Sequence, residues 1–285
     1  MPVIEGGRAS VSELVNASSL ADVPETMLWT LYGRAAEAGR RRGMLADPMA
    51  QEIFGAIEYP FFRRFGPPQP VFALRSLAFD RALEDFLSRY RGAQIVALGE
   101  GLETQRYRVL APHSDWLTVD LPDALEVRER FMPPDDQHRH LAKSATDPSW
   151  MAELDSARPT FISAQGLFMY FQAAEVRMLL REITAQFRCV QVVFDVVPAW
   201  VSRASVLANG FPLTPFYRMP PMPWGINRYA VKPTLRRWLG HEADVRFRSF
   251  PVPDRGPARV VGRLLPSLSK TNPWMPSLVE VEKLA

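Results

Sequence analysis

The chain reads as an α/β protein: a mostly parallel sheet covered by helices on both faces, with a helical extension before it and an insertion late in it. Three features predict that class. Short apolar runs at 94–98, 116–119, 160–164 and 190–194 alternate with amphipathic segments at 124–130 and 173–186, the rhythm of β-α-β units whose strands lie side by side. The first run ends in Gly99-Glu100-Gly101, a tight turn where backbone can pass into a helix. The second ends in a single carboxylate, Asp120, about 20 residues beyond the turn, the usual separation in nucleotide-binding units.

The remaining elements follow in order. Residues 1–20 are small and polar and predict a loose arm. Residues 22–38 have apolar positions at helical spacing, with Asp22 as the expected cap and Pro24 in the first turn. Asp47-Pro48 opens a second helix, followed by an aromatic-rich stretch at 59–65 and a proline break at 67–70. Residues 71–91 are amphipathic and predict a long helix leading into the first strand. Residues 198–233 are proline-rich and carry Phe211, Phe216, Tyr217, Met219, Met222 and Trp224. A segment of this length and type suits a lid over an apolar ligand, the alternative being a packed cap that touches no ligand. A strand pair at 242–250 and 258–265 completes the sheet. One domain is expected, divided as 1–91 (helical cap), 92–197 (cofactor-binding core), 198–240 (lid or substrate insertion) and 241–285 (strands and tail).

Composition removes several function classes. With 285 residues, 47% hydrophobic and 23% charged, the chain is an ordinary globular protein. No apolar stretch approaches the roughly 20 residues that span a bilayer, and the first residues lack a basic-then-apolar signal pattern, so no membrane association is expected. The 34 basic and 31 acidic residues give a net charge of +3 and are interspersed, with Arg40-Arg41-Arg42 the tight basic cluster; nothing forms the basic stripe of a nucleic-acid binder. Cys189 is the single cysteine and sits in an apolar run, which predicts a buried thiol, no internal disulfide and a cytoplasmic location. His138 and His140 alternate in a polar segment expected to be a solvated loop; no third ligand accompanies them, so no metal site is expected. The sequence leaves the oligomeric state open.

The glycine turn and Asp120 together suit a nucleoside-bearing cofactor, with glycine backbone close to the ligand and the acid accepting from a ribose diol. A dinucleotide fingerprint wants a third glycine, and Thr104 stands there. Glu100 and Glu103 would also repel a pyrophosphate at a helix start. S-adenosylmethionine, with an adenosine, no phosphate and a cationic sulfonium beside an amino acid, fits these charges better than NAD.

With those residues in hand, the chain resembles the leucine carboxyl methyltransferase superfamily, including its bacterial polyketide O-methyltransferases of the tetracenomycin type. The likeness lies in the 96–108 segment VALGEGLETQRYR, the acid-Leu-Pro motif of Thr118-Val119-Asp120-Leu121-Pro122, and the 164–171 segment AQGLFMYF; segments 23–32 and 74–80 also fit. The resemblance implies a class I S-adenosylmethionine-dependent methyltransferase fold, a Rossmann-like sheet, and a role for each matching residue. Arg75 would pair with the methionine carboxylate, Gly99 and Gly101 would admit the amino-acid end, Asp120 would bind the ribose, and Leu121 would pack on adenine. Ser144 and Ala145 stand where the family has an Asp-Leu pair beside the adenine, and Gln165 where many members have a glutamate near the cofactor amino group. Glu100 and Glu103 would act as nearby anions for that group. Tyr170 holds the aromatic position near the active site and is the candidate catalytic residue, while Tyr32 and Arg34 are candidates to reach the site from the first helix. No general base stands out. The implied acceptor is a carboxyl or hydroxyl group of a small aromatic or polyketide-like molecule. Methylation of a protein C-terminus and cofactor binding without turnover are the alternatives, the latter prompted by Ser144 and Gln165.

Overall fold

A computed structural model describes residues 14–17, 20–241, 243–250 and 277–284. It begins with β1 (Val15–Asn16), α1 (Asp22–Ala38) and α2 (Pro48–Ala56); β2 (Ile57–Glu58) then pairs in parallel with β1, and α3 (Phe61–Phe65) follows. The long α4 (Val71–Arg89) leads into β3 (Gln94–Leu98), the single-turn α5 (Gln105–Arg108), β4 (Asp115–Asp120), α6 (Pro122–Glu129) and β5 (His138–Ala142). Next come β6 (Thr160–Ala164), α7 (Ala173–Gln186), β7 (Val190–Val196), α8 (Ala199–Leu207) and a hairpin of β8 (Phe211–Thr214) and β9 (Tyr217–Met219). The last elements are α9 (Arg228–Leu239), β10 (Asp244–Arg248) and β11 (Ser277–Lys283). No described helix is long and apolar enough to cross a membrane.

Seven strands form one sheet in the order β10-β11-β7-β6-β3-β4-β5. The five central-to-edge strands β3 to β7 are parallel, and β11 lies antiparallel between β7 and β10. The chain steps from β3 outward through β4 to β5, then returns to lay β6 on the other side of β3. The crevice over the carboxyl ends of β3 and β6 is therefore the topological switch point, where open α/β sheets take their ligands. Burial on both faces explains the apolar run of β3 from Ile95 to Leu98. Ile95 and Ala97 pack with Phe79 and Phe86 of α4, whereas Val96 and Leu98 pack with Leu179 and Ile183 of α7. On α1, Leu28 and Leu31 pack against Leu102, Ala124 and Val127, so the helical extension sits directly on the glycine turn and α6.

The expected helices and the four expected parallel strands are present with ends shifted by a few residues, and Cys189 is buried. Three expectations change. The segment bearing His138 and His140 is a strand, β5, rather than a solvated loop, and His138 is fully buried. Its polar composition hides it because it is an edge strand of the sheet, paired with β4. Asp22 lies inside α1 rather than capping it; Ala21 precedes the helix and no side chain caps that end. The strand partner of β10 is β11, while the expected 258–265 strand lies outside the described residues. β11 escapes notice because Glu280 and Glu282 are buried in it, held by Arg248 and by Arg89 and Arg246 respectively.

Phe194 in β7 is fully buried, 4.9 Å ring to ring from Phe168. Phe194→Ala is expected to cost about 3–5 kcal/mol, read as a lower urea midpoint with the slope unchanged.

Candidate active site

A cavity of about 710 Å³ opens at the switch point, above the carboxyl ends of the central strands. Arg75, Gly99, Glu100, Gly101, Asp120, Leu121, Ser144, Ala145, Gln165 and Tyr170 all line it. Tyr32 and Arg34 do not reach it. Tyr32 stacks on Phe54 at 5.5 Å, and Arg34 is fully buried behind the glycine turn.

The turn requires its glycines. Gly99 and Gly101 have φ of +59° and +52°, and a Cβ on them would lie 2.6 Å from Leu167 Cδ1 and 2.7 Å from Met27 Cβ. The constraint is thus conformational and steric as well as a matter of ligand access. Asp120 sits against this turn: its Oδ2 accepts from the Gly101 amide at 2.7 Å and its Oδ1 from the Leu121 amide at 2.8 Å. It does not cap α6, which has Leu121 at the N-cap and no side-chain cap. Each carboxylate oxygen keeps a second acceptor site. Burial pushes the Asp120 carboxyl above the ordinary aspartate range, against the pull of those two amides.

The two glutamates of the turn are not bare anions. Glu100 is held by the Thr118 hydroxyl and by Arg128, with Nη2 2.9 Å from Oε2; burial pushes its carboxyl up, opposed by Arg128. Burial would also raise Glu103, but Arg108 at 2.7 Å and Arg34 at 3.4 Å hold it well below the usual carboxylate range. The expected repulsion of phosphate by these two acids is therefore mostly spent inside the protein, and α5 is one turn long. Gln165 donates its amide nitrogen to Ser76 Oγ and Glu103 Oε2, both at 3.1 Å. Gln165 and Glu103 both line the cavity. The Ser144 hydroxyl lies 2.8 Å from that of Thr146.

At the other end, Arg75 does not pair with Asp80, which is taken by Arg108 at 2.8 Å. Arg75 lies along the cavity wall, its Nη1 3.5 Å from Asp195 Oδ2. Asp195 also accepts from the Gly166 amide at 2.6 Å and lines the cavity. Asp195 is not among the residues singled out from sequence; its signal is that it follows the fourth apolar run as Asp120 closes the second. Tyr170 is pushed up to about 12 by burial, so it keeps its proton at neutral pH. Next to it, Met169, Val197 and Met222 form an apolar cluster joined by Val201 and Met219, and all five line the cavity. The 198–240 segment therefore supplies one wall of the chamber.

Comparison with known proteins agrees with this geometry. The family model for leucine carboxyl methyltransferase matches residues 27–184. The chain is 30% identical over 187 residues to the tetracenomycin polyketide synthesis O-methyltransferase TcmP of Streptomyces glaucescens, covering 65% of this chain and 69% of that protein. It is 27% identical over 188 residues to the S-adenosyl-L-methionine-dependent methyltransferase dpfgK of Gibberella zeae, covering 60% and 63% respectively. Among solved structures, the plantazolicin methyltransferase BamL, in complex with a triazolic desmethylPZN analog and SAH, aligns with a TM-score of 0.53 at 11% identity over 93% of this chain and 100% of that one. The shared fold is that of the class I methyltransferases.

Gly101→Ala must place a side chain at positive φ and against Met27. The expected cost is roughly 1–3 kcal/mol for the backbone alone, visible as a lower melting temperature.

Proposed function

The chain belongs to the leucine carboxyl methyltransferase family, and we propose that it methylates a carboxyl or hydroxyl group on a small aromatic, polyketide-like metabolite. It is an S-adenosylmethionine-dependent O-methyltransferase. The observation that carries the proposal is the contact of Asp120 with the Gly101 amide in a cavity that is also lined by Met169, Met219 and Met222. The likeness to a polyketide O-methyltransferase supports the acceptor class.

In this reading Asp120 accepts from the ribose hydroxyls through its remaining lone pairs, and Leu121 and Ala145 flank the adenine with Ser144 at its polar edge. Arg75 pairs with the methionine carboxylate, as a guanidinium fork suits a carboxylate. Gln165 offers its carbonyl oxygen to the ammonium. When bound, S-adenosylmethionine supplies an electrophilic methyl group on a sulfonium. The chain's own task is to align an acceptor oxygen in line with that methyl and to keep water out. Tyr170, protonated, donates to the acceptor oxygen and orients it. An ionised carboxyl acceptor then needs no base. Residues 92–197 are the cofactor core, 1–91 its helical cap and 198–240 the lid. A chamber lined by Met219 and Met222 favours a small apolar acceptor over a protein C-terminus. The single buried Cys189 is consistent with work in the cytoplasm.

Asp120→Asn is expected to weaken S-adenosylhomocysteine binding tenfold or more by calorimetry, on the order of one hydrogen bond to a charged group. The pH dependence has a definite sign. Because the carboxyl is raised, it takes up its proton on acidification above the ordinary aspartate value of about 3.9. Cofactor affinity then falls as pH drops, with a midpoint above that value, and Asp120→Asn flattens the fall. Tyr170→Phe is expected to lower kcat at least several-fold while leaving S-adenosylhomocysteine affinity unchanged.

A further inference from the structure

Arg128 on α6 has no part in any role assigned so far and is fully buried. Its Nη1 donates to the carbonyl oxygens of Gly101 at 2.7 Å and Glu103 at 3.0 Å, and its Nη2 lies 2.9 Å from Glu100 Oε2. Gly101 is consequently gripped at both ends, its carbonyl by Arg128 and its amide by Asp120 Oδ2 at 2.7 Å. Arg128 is itself fixed by Glu100, and Glu100 by a chain of hydrogen bonds that all point the same way. Arg106 is a donor only, so its contact at 2.8 Å makes His138 Nδ1 the acceptor and puts the ring proton on Nε2. His138 Nε2 then donates to Thr118 Oγ1 at 2.8 Å, and Thr118 donates to Glu100. Arg106 is anchored outside by Asp135 at 2.6 Å.

We propose that Arg128 is a positioning residue for the cofactor, acting through Gly101, whose carbonyl it holds and whose amide Asp120 accepts from, so that the carboxylate presents its free lone pairs to the ribose diol. Arg128 makes both carbonyl bonds through Nη1 and keeps Nη2 beside the Glu100 carboxylate, so one planar guanidinium holds the turn and its counter-ion together. The Glu100–Thr118–His138 chain holds that fork in register from the opposite side. The proposal rests on the ribose assignment to Asp120 and adds to it.

The test is calorimetric binding of S-adenosylhomocysteine and its 2′-deoxy analogue to the wild type, Arg128→Lys and the double variant Arg128→Met/Glu100→Gln, which removes both buried charges together. The wild type is expected to prefer the ribose diol by tenfold or more, on the order of a charge-assisted hydrogen bond. In the double variant that preference collapses toward one, because affinity for S-adenosylhomocysteine drops while the 2′-deoxy analogue changes little; Arg128→Lys falls between. A general loss of stability lowers both affinities in parallel and leaves their ratio intact, so an unchanged ratio overturns the proposal whatever the melting temperature. If the double variant does not fold, the ratio in Arg128→Lys decides by the same criterion. A wild type that binds the two ligands equally would instead sink the ribose assignment and the proposal with it, an outcome Asp120→Asn reports separately.

Discussion

Backbone carbonyls in a buried turn have no ladder to join, and each needs a donor. In the 99–104 turn the Glu100 and Thr104 carbonyls accept from the Glu103 and Tyr107 amides, and those between them take their donors from two arginines on different helices. Arg34 of α1 reaches the Leu102 carbonyl at 2.6 Å, and Arg128 of α6 reaches those of Gly101 and Glu103. Two fully buried guanidiniums are costly to desolvate unless paired. Here each has a carboxylate within 2.9 Å, Asp47 at 2.8 Å for Arg34 and Glu100 at 2.9 Å for Arg128. Asp47 in turn accepts from the Ala50 amide at the start of α2. The helical extension is thus part of the turn's support and not an appendage to the sheet.

This bracing also sets the charge the cavity presents. Glu103 spends its two oxygens on Arg108, Arg34, Ser76, Gln165 and the Thr104 amide, and Glu100 spends one on Arg128 and Thr118. The remaining polar groups of the lining are the Gln165 amide, the Asp120 carboxylate and the Arg75–Asp195 pair. Fixed groups of that kind need not reorganise when a zwitterionic ligand arrives. The preference for S-adenosylmethionine over a dinucleotide, argued from sequence through repulsion by two acids, therefore has a different physical basis. It rests on the absence of a helix start of useful length after the turn and on the acceptor groups that replace it.

The legible parts of the sequence were those whose cause is local. Strands covered on both faces are mostly apolar, so β3, β6 and β7 stood out; a tight positive-φ turn favours glycine, so Gly99 and Gly101 did too. Asp120 was found because its spacing from that turn is set by the β-α-β unit itself. What was hidden depends on partners distant in sequence. β5 looks like a polar loop until β4 is beside it, and β11 carries two glutamates that make sense only with Arg89, Arg246 and Arg248 opposite. Arg34 and Arg128 have the helical spacing of surface residues, and nothing in their neighbourhoods announces that a turn will need their protons. Asp195 had the same signal as Asp120, an acid ending an apolar run, but lacked a glycine turn at a telling distance.

The acceptor end follows from the same economy of charge. Arg75, Asp195 and Tyr170 are close enough that the first two act on the ionisation of the third, Arg75 favouring the phenolate and Asp195 opposing it. Burial dominates both, so Tyr170 stays a donor. On the proposed reading this matters more than the lack of a base. An ionised acceptor entering a chamber of Met169, Val197 and Met222 loses hydration and gains few new partners, which leaves its oxygen more reactive than in water. A donor that fixes its direction without quenching it, such as one neutral phenol, then serves the transfer better than a second cation would. A guanidinium in that position would neutralise the nucleophile; Arg75 avoids doing so as long as its fork is turned to the amino-acid carboxylate and its near edge to Asp195.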